Sequence, residues 1–187
     1  MTTTAPRLRD GVTLVVDPPV TAPFLGEIVD LWVRVTNAGG AVGFLPPIDA
    51  AMVHPVAEAT LRRVAAGVDT FVGLVDGGGH LLAWCVLEDG GGGLRRHWRT
   101  VVRVMVDPDR QAAGYGRMLL DAVHDVARDR LGLDALMLQV RGGTGTEEFY
   151  RRSGYELVGR LPGAIRLAPG DDRDELVMWR RLGDLAP

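Results

Sequence analysis

A chain of 187 residues, 47% hydrophobic and 24% charged, is long enough to bury a substantial core and most simply forms one domain. Its formal net charge of -3 excludes the global electrostatics of a nucleic-acid or anionic-membrane binder. The single cysteine, Cys85, excludes an internal disulfide and a cysteine-only zinc site and fits a reducing, cytoplasmic compartment.

Residues 1–11, MTTTAPRLRDG, carry no apolar signal-peptide core and read as a flexible polar tail ahead of a single domain spanning 12–187. VTLVV at 12–16 predicts a short strand, stopped by Asp17-Pro18-Pro19. Phe24, Ile28, Leu31, Trp32 and Val35 recur at helical spacing, predicting a helix over 22–35 that the segment 37–40 closes. A GFLPPID loop follows, then a second helix over 55–66. TFVGLVD and HLLAWCVLED read as two strands around the glycines 77–79, a hairpin signal. The longest apolar run, residues 81–87, is far too short to span a membrane. Glycines 90–93 have no strand-to-helix step behind them and read as a hairpin loop rather than a phosphate loop. Next come a strand over 99–106, a helix over 116–130, a strand over 135–140 and a short helix over 146–152 ended by Gly154. Strands over 155–159 and 175–181 close the chain. A helix pair, an antiparallel meander and a strand–helix–strand crossover predict one mixed α/β layer structure.

The most informative stretch is VVRVMVDPDRQAAGYGRMLL, residues 101–120. A dinucleotide fingerprint needs a third glycine where Leu119 stands, and a P-loop needs Gly-Lys where Gly116 is followed by Arg117. Both fail. What remains is Gln111, Ala112, Ala113, Gly114, Tyr115 and Gly116 between a strand and an amphipathic helix. A helix start offers unsatisfied N–H groups and a partial positive charge, and small residues let an anion approach them. Glycines are equally suited to a helix start packed closely on a sheet, so the local chemistry leaves both readings open.

The segment from Val104 to Asp107-Pro108, followed by Gln111 to Gly116, resembles motif A of the GNAT superfamily of acyl-CoA-dependent N-acyltransferases. FYRRSGYELVGR, from Phe149 to Arg160, is similar to its motif B, and the two are separated about as the family separates them. GFLPP, the segment from His97 to Gly116, and the RGGTGTEEFYRRSGYELVGR stretch further resemble small bacterial acetyltransferases of the tabtoxin-resistance type. The resemblance implies a GNAT-like fold, a mixed and mostly antiparallel twisted sheet with helices on both faces, splayed at its central strands. It implies acetyl-CoA as co-substrate. Val104, Met105 and Val106 would bind the pantetheine arm through backbone groups, and the turn from Gln111 to Arg117 would wrap the pyrophosphate. Ala113 departs from the basic residue common there; Arg110 or Arg117 would supply the charge.

Acetyl transfer from a thioester needs a neutral amine, a polarised carbonyl and a proton for the leaving thiolate. The resemblance places Tyr150 near the sulfur as general acid, and a backbone amide near Met105 at the carbonyl. The general base is not resolved by sequence. The family's strand glutamate falls on Thr100, and a second acid of the tabtoxin-resistance pattern falls on Gln139. His97 is the remaining candidate, since histidine changes charge near neutral pH; the alternatives are a half-exposed hairpin histidine with no catalytic duty, or an ordered water. Arg103, mid-strand, would pair with Asp121 or reach the acceptor pocket, the structural pair being favoured. Phe44, Trp84 and Trp98 could line the acceptor cleft or be simple core. No histidine has metal-ligand spacing, so no metal is assigned.

These observations predict an acetyl-CoA-dependent N-acetyltransferase that acetylates a primary amine of a small molecule by direct attack. A protein lysine or N-terminus as acceptor is one alternative, and a non-catalytic acyl-CoA sensor, kept open by the missing carboxylates, is another. No nucleic-acid or membrane partner is expected. Oligomeric state stays open, homodimers being frequent in the resembled family.

Overall fold

The apolar run LLAWCVL is unbroken because both faces of its strand are covered, as fits a central strand between two helical layers. The computed structural model describes residues 8–9 and 11–183, and the tail residues 1–7 and 10 lie outside the described ones. Seven strands, β1 (Val12–Val16), β2 (Thr70–Asp76), β3 (Leu81–Glu88), β4 (Trp98–Val106), β5 (Ala135–Arg141), β6 (Glu156–Ala168) and β7 (Asp171–Arg181), form one sheet ordered β1-β2-β3-β4-β5-β7-β6. Every neighbouring pair is antiparallel except β4 and β5, which are parallel. The connection between those two is a helix, α3 (Tyr115–Asp125), as a parallel pair requires.

Two further helices, α1 (Ala22–Asn37) and α2 (Ala50–Ala65), cover one face of the sheet. Their core joins Ile28, Leu31, Trp32, Val53 and Leu61 to Phe71, Trp84, Val86 and Met105 from the strands. On the opposite face α3 and α4 (Thr146–Arg152) bury Leu119, Leu120, Val123 and Tyr150 against Val72, Ala83, Cys85 and Leu138. Trp32 is fully buried, edge-on to Trp84 at 5.7 Å, so truncating it to alanine would cost about 3–5 kcal/mol. Among the described residues no helix is long and apolar enough to cross a membrane.

Several boundaries differ from the sequence reading. The second helix begins at Ala50, not Pro55, because the Asp49 carboxylate caps it by accepting from Met52 N at 3.0 Å. Pro55 lies inside the helix rather than at its start. The helix over 116–130 is α-helical only to Asp125 and continues as a π-helical segment, Val126–Arg130. The closing strands are far longer than 155–159 and 175–181. β6 and β7 run for 13 and 11 residues. Pro162 and Gly163 hide the hairpin in the sequence, and a register shift between Leu161 and Ile165 absorbs them. Arg160–Asp174 and Arg166–Asp172 ion pairs clamp its two arms.

Candidate active site

The site begins with a mismatch between two strands. Two steps on β3, from Trp84 to Val86, are matched by three on β4, from Val102 to Met105. The extra residue makes a bulge in which Arg103 adopts φ +57°, a left-handed conformation costing a non-glycine residue about 1–2 kcal/mol. The bulge resets the alternation of β4. Val104 and Val106 pack on the α3/α4 side, while Met105 turns into the α1/α2 core.

A second irregularity opens the sheet. β4 and β5 pair only at Trp98–Ala135, Arg99–Leu136 and Thr100–Met137. Beyond Thr100 they part, and a cavity of about 1000 Å³ occupies the splay. Of the residues expected at the cofactor, Val104, Val106, Gln111, Ala112, Gly114, Tyr115, Gly116 and Arg117 line this cavity together with Tyr150. Met105 and Ala113 do not line it.

The glycine turn has structural reasons of its own. Gly114 is the N-cap of α3 at φ +85°, which favours glycine. A Cβ on Gly116 would stand 3.3 Å from Phe149 Cζ and 3.4 Å from Val106 Cγ2, so that glycine lets α4 and β4 close on the start of α3. Asp107 anchors the turn. Its carboxylate accepts from Asp109 N at 3.1 Å and from Arg34 Nη1 at 2.6 Å. Burial alone would raise the Asp107 pKa, but the Arg34 guanidinium and the Asp109 amide hold it below the usual carboxylate value.

Cationic groups cluster at this end. Arg110 and Arg117 line the cavity, and Arg117 is partly engaged by Asp121 at 3.1 Å. The sequence reading missed Arg9, whose guanidinium lies 5.8 Å from the Tyr115 ring centroid and would touch a Cβ on Gly114 at 3.0 Å. It stands beside the turn where Ala113 provides no charge, and nothing in its local sequence signals that placement.

Tyr150 comes from α4, whose short length is set by Gly145 before it and Gly154 after it. Its ring packs edge-on to Phe149 at 5.1 Å and Tyr155 at 5.9 Å. Burial pushes its phenol above the ordinary tyrosine pKa, with the buried Cys85 thiol adding to the shift, so the group stays protonated at neutral pH. Burial likewise pushes the Cys85 thiol up, leaving no thiolate nucleophile.

The other end of the cavity lies between the loop after α1 and strands β4 and β5. The Asn37 side chain bonds Ile48 N and O, each at 2.9 Å, and Trp32 Nε1 donates to Val42 O at 2.9 Å; together these pull the loop back over the sheet. Gly43 and Phe44 of the GFLPP loop line both this cavity and a contiguous one of about 380 Å³. Phe44 therefore lines the cleft, whereas Trp84 is core, stacked on Phe71, and Trp98 packs on Trp179. His97 is exposed, precedes β4 rather than beginning it, and does not line the cavity.

Arg103 does not pair with Asp121. Its Nη1 donates to Glu88 Oε1 at 2.6 Å, and its guanidinium carbon lies 5.3 Å from the Trp32 ring centroid. The two positions where carboxylates were expected each have one on the next strand. Thr100 stands opposite Glu88 in the β3–β4 register, and Gln139 donates to Glu175 Oε2 at 2.9 Å. Neither neighbour is visible in the local sequence, because strand pairing alone creates it.

A family model described as the acetyltransferase (GNAT) family matches residues 48–155. The chain belongs to this family. A curated relative, the tRNA uridine(34) acetyltransferase of Dehalococcoides mccartyi (strain CBDB1), is 46% identical over 52 residues. That match covers 28% of this chain and 11% of the relative, so the chain spans only a small part of that protein. Among solved structures, a protein assigned as a phosphinothricin N-acetyltransferase superposes with a TM-score of 0.74 at 18% identity, covering 92% of this chain and 99% of that one. The protein yncA of Salmonella typhimurium, assigned as an acetyltransferase and solved with its cofactor acetyl-CoA, gives 0.71 at 17% identity, covering 95% and 98%. A chimera of the Vibrio cholerae spermidine N-acetyltransferase SpeG gives 0.72 at 16% identity, covering 92% and 96%. At these identities the likeness is one of fold.

Proposed function

We propose that this chain, as one cytoplasmic acetyltransferase domain from about residue 12, acetylates a primary amine of a small molecule by direct attack on acetyl-CoA. The observation that carries the reading is the single cavity shared by the glycine turn, the splayed end of β4 and the Tyr150 ring. A donor lying from the turn toward Tyr150 would set its phosphates against the first amides of α3, beside Arg110 and Arg117. Its arm would follow Val104 and Val106, where β4 has no partner on its β5 side. Tyr150 then gives its proton to the departing sulfur, a task suited to a phenol that burial keeps protonated. The GFLPP loop narrows the acceptor end, which favours a small amine over a protein segment. The spermidine N-acetyltransferases among proteins of this fold act on small amines, in keeping with that preference.

Thiol release from acetyl-CoA over a panel of amines tests the reading, with Tyr150→Phe as control. Turnover of at least one small amine, reduced roughly 10²-fold or more in the variant, is expected. Binding of acetyl-CoA with no turnover of any acceptor overturns it in favour of a sensor. The chain contains no lysine, so acetylation of its own lysine side chains contributes no background.

A further inference from the structure

Among the described residues lining the larger cavity there is one carboxylate, Glu88, and no histidine. Its position is specific. Glu88 ends β3 and stands opposite Thr100, the last residue of β4 before the splay. It is met by Arg103, whose guanidinium lies over Trp32 of the α1/α2 core, whereas Tyr150 belongs to the α3/α4 core. The strained Arg103 backbone has a clear result: its side chain leaves the strand alternation and holds one Glu88 oxygen at 2.6 Å. Non-glycine strain of this kind persists where surrounding structure enforces it, often at functional sites. Glu175, the other nearby carboxylate, lines only the smaller cavity and is bonded to Gln139.

We infer that Glu88 accepts the proton of the incoming ammonium, directly or through one water, and that Arg103 is its positioning residue. The inference rests on the transferase reading above. In the sequence of steps, the ammonium gives one proton to Glu88, and the freed nitrogen lone pair attacks the thioester carbon. The carbon–nitrogen bond forms, the carbonyl closes again as the carbon–sulfur bond breaks, the nitrogen loses its second proton to water, and Glu88 returns the first to solvent. Tyr150 protonates the sulfur and is reprotonated from solvent. The balance is one amide, one free thiol and one proton released. The strand position expected to carry the acid is thus served from the neighbouring strand at the same register.

The test uses the full chain and a set of accepted amines of graded basicity. Wild-type turnover is measured first, since its absence overturns the transferase reading itself. Given turnover, Glu88→Gln should bind acetyl-CoA as wild type does, which also reports folding. Its kcat/KM should fall roughly 10²-fold or more for strongly basic amines, present as ammonium ions, and far less for weakly basic amines that arrive neutral. Glu88→Asp, which keeps a carboxylate, should recover part of the loss. Arg103→Leu should show the same dependence on amine basicity in weaker form. A loss in Glu88→Gln that is uniform across the series, or no loss, overturns the assignment while leaving the transferase reading intact.

Discussion

Arg34 Nη1 lies 2.6 Å from Asp107 Oδ1, tying the first helix to the residue where β4 turns toward α3. The contact joins elements 73 positions apart and also orders the turn, because the same Asp107 oxygen accepts from Asp109 N. Removing the carboxylate therefore loosens the turn. Asp107→Asn should weaken acetyl-CoA binding by roughly two- to fivefold, the scale of a partly screened charged contact, as read by calorimetric titration.

The same carboxylate predicts an acid limb in stability. Its folded pKa lies below the ordinary value, so its contribution is complete above about pH 4 and is lost as pH falls through the lower folded value. Thermal midpoints measured from pH 5 to pH 2 should fall more gently in Asp107→Asn than in wild type. Equal slopes would show that the Arg34 contact contributes nothing to folding.

His124 predicts a second, separate limb. It is buried beside Tyr155, and burial, with Arg180, Arg117 and Arg128 adding, pushes its pKa down to about 3. An unfolded chain protonates this histidine near pH 6.5, so folding grows less favourable as pH drops from there toward 3, by at most about 1.4 kcal/mol per pH unit. Denaturant midpoints for His124→Leu should be flatter than wild type between pH 6.5 and pH 4. A parallel decline in both proteins would contradict the neutral buried state.

Arg9 should contribute to cofactor binding. Arg9→Ala is expected to raise the acetyl-CoA dissociation constant roughly two- to fivefold at low salt, with the difference shrinking as salt is added. The discriminating comparison is dephosphorylated against intact donor: an effect independent of phosphate charge would assign Arg9 to packing on Tyr115 alone.

Gly116→Ala separates packing from ligand approach. The added methyl group meets Phe149 and Val106 at 3.3–3.4 Å, so the variant should lose about 1–3 kcal/mol of stability, visible in its thermal midpoint. If stability is unchanged while acetyl-CoA binding falls, the glycine serves the ligand and not the helix contact.

Element order was legible because periodicities were strong. β1 and α4 have the very bounds that the pattern predicts, and the continuous apolar run of β3 marks a strand covered on both faces. The glycine turn stood out because its residues are local in sequence, and Val104, Val106, Gln111, Ala112, Gly114, Tyr115, Gly116 and Arg117 line one cavity, whereas Met105 and Ala113 do not. Legibility failed wherever a neighbour comes from another element. Glu88 looks like a strand end until β4 is laid beside it, and Arg103 looks buried in alternation until the bulge turns it out. His97 is a candidate in the sequence for its chemistry alone, but it is exposed and does not line the cavity. The β6–β7 hairpin was shortened by its proline and glycine, whose disruption is absorbed by register shifts invisible in one strand.

Three residue pairs are all the backbone pairing that joins β4 to β5. Mechanically, the seven strands are two leaves meeting at a hinge at Thr100 and Met137, with β1 to β4 on one leaf and β5 to β7 on the other. Past the hinge, no strand carries load from leaf to leaf across the gap. A molecule lying there with amides of its own would act as the missing spacer, and stiffness across the middle of the sheet becomes a property of the loaded protein. Hydrogen exchange along the facing edges of both leaves should then slow together when the gap is filled.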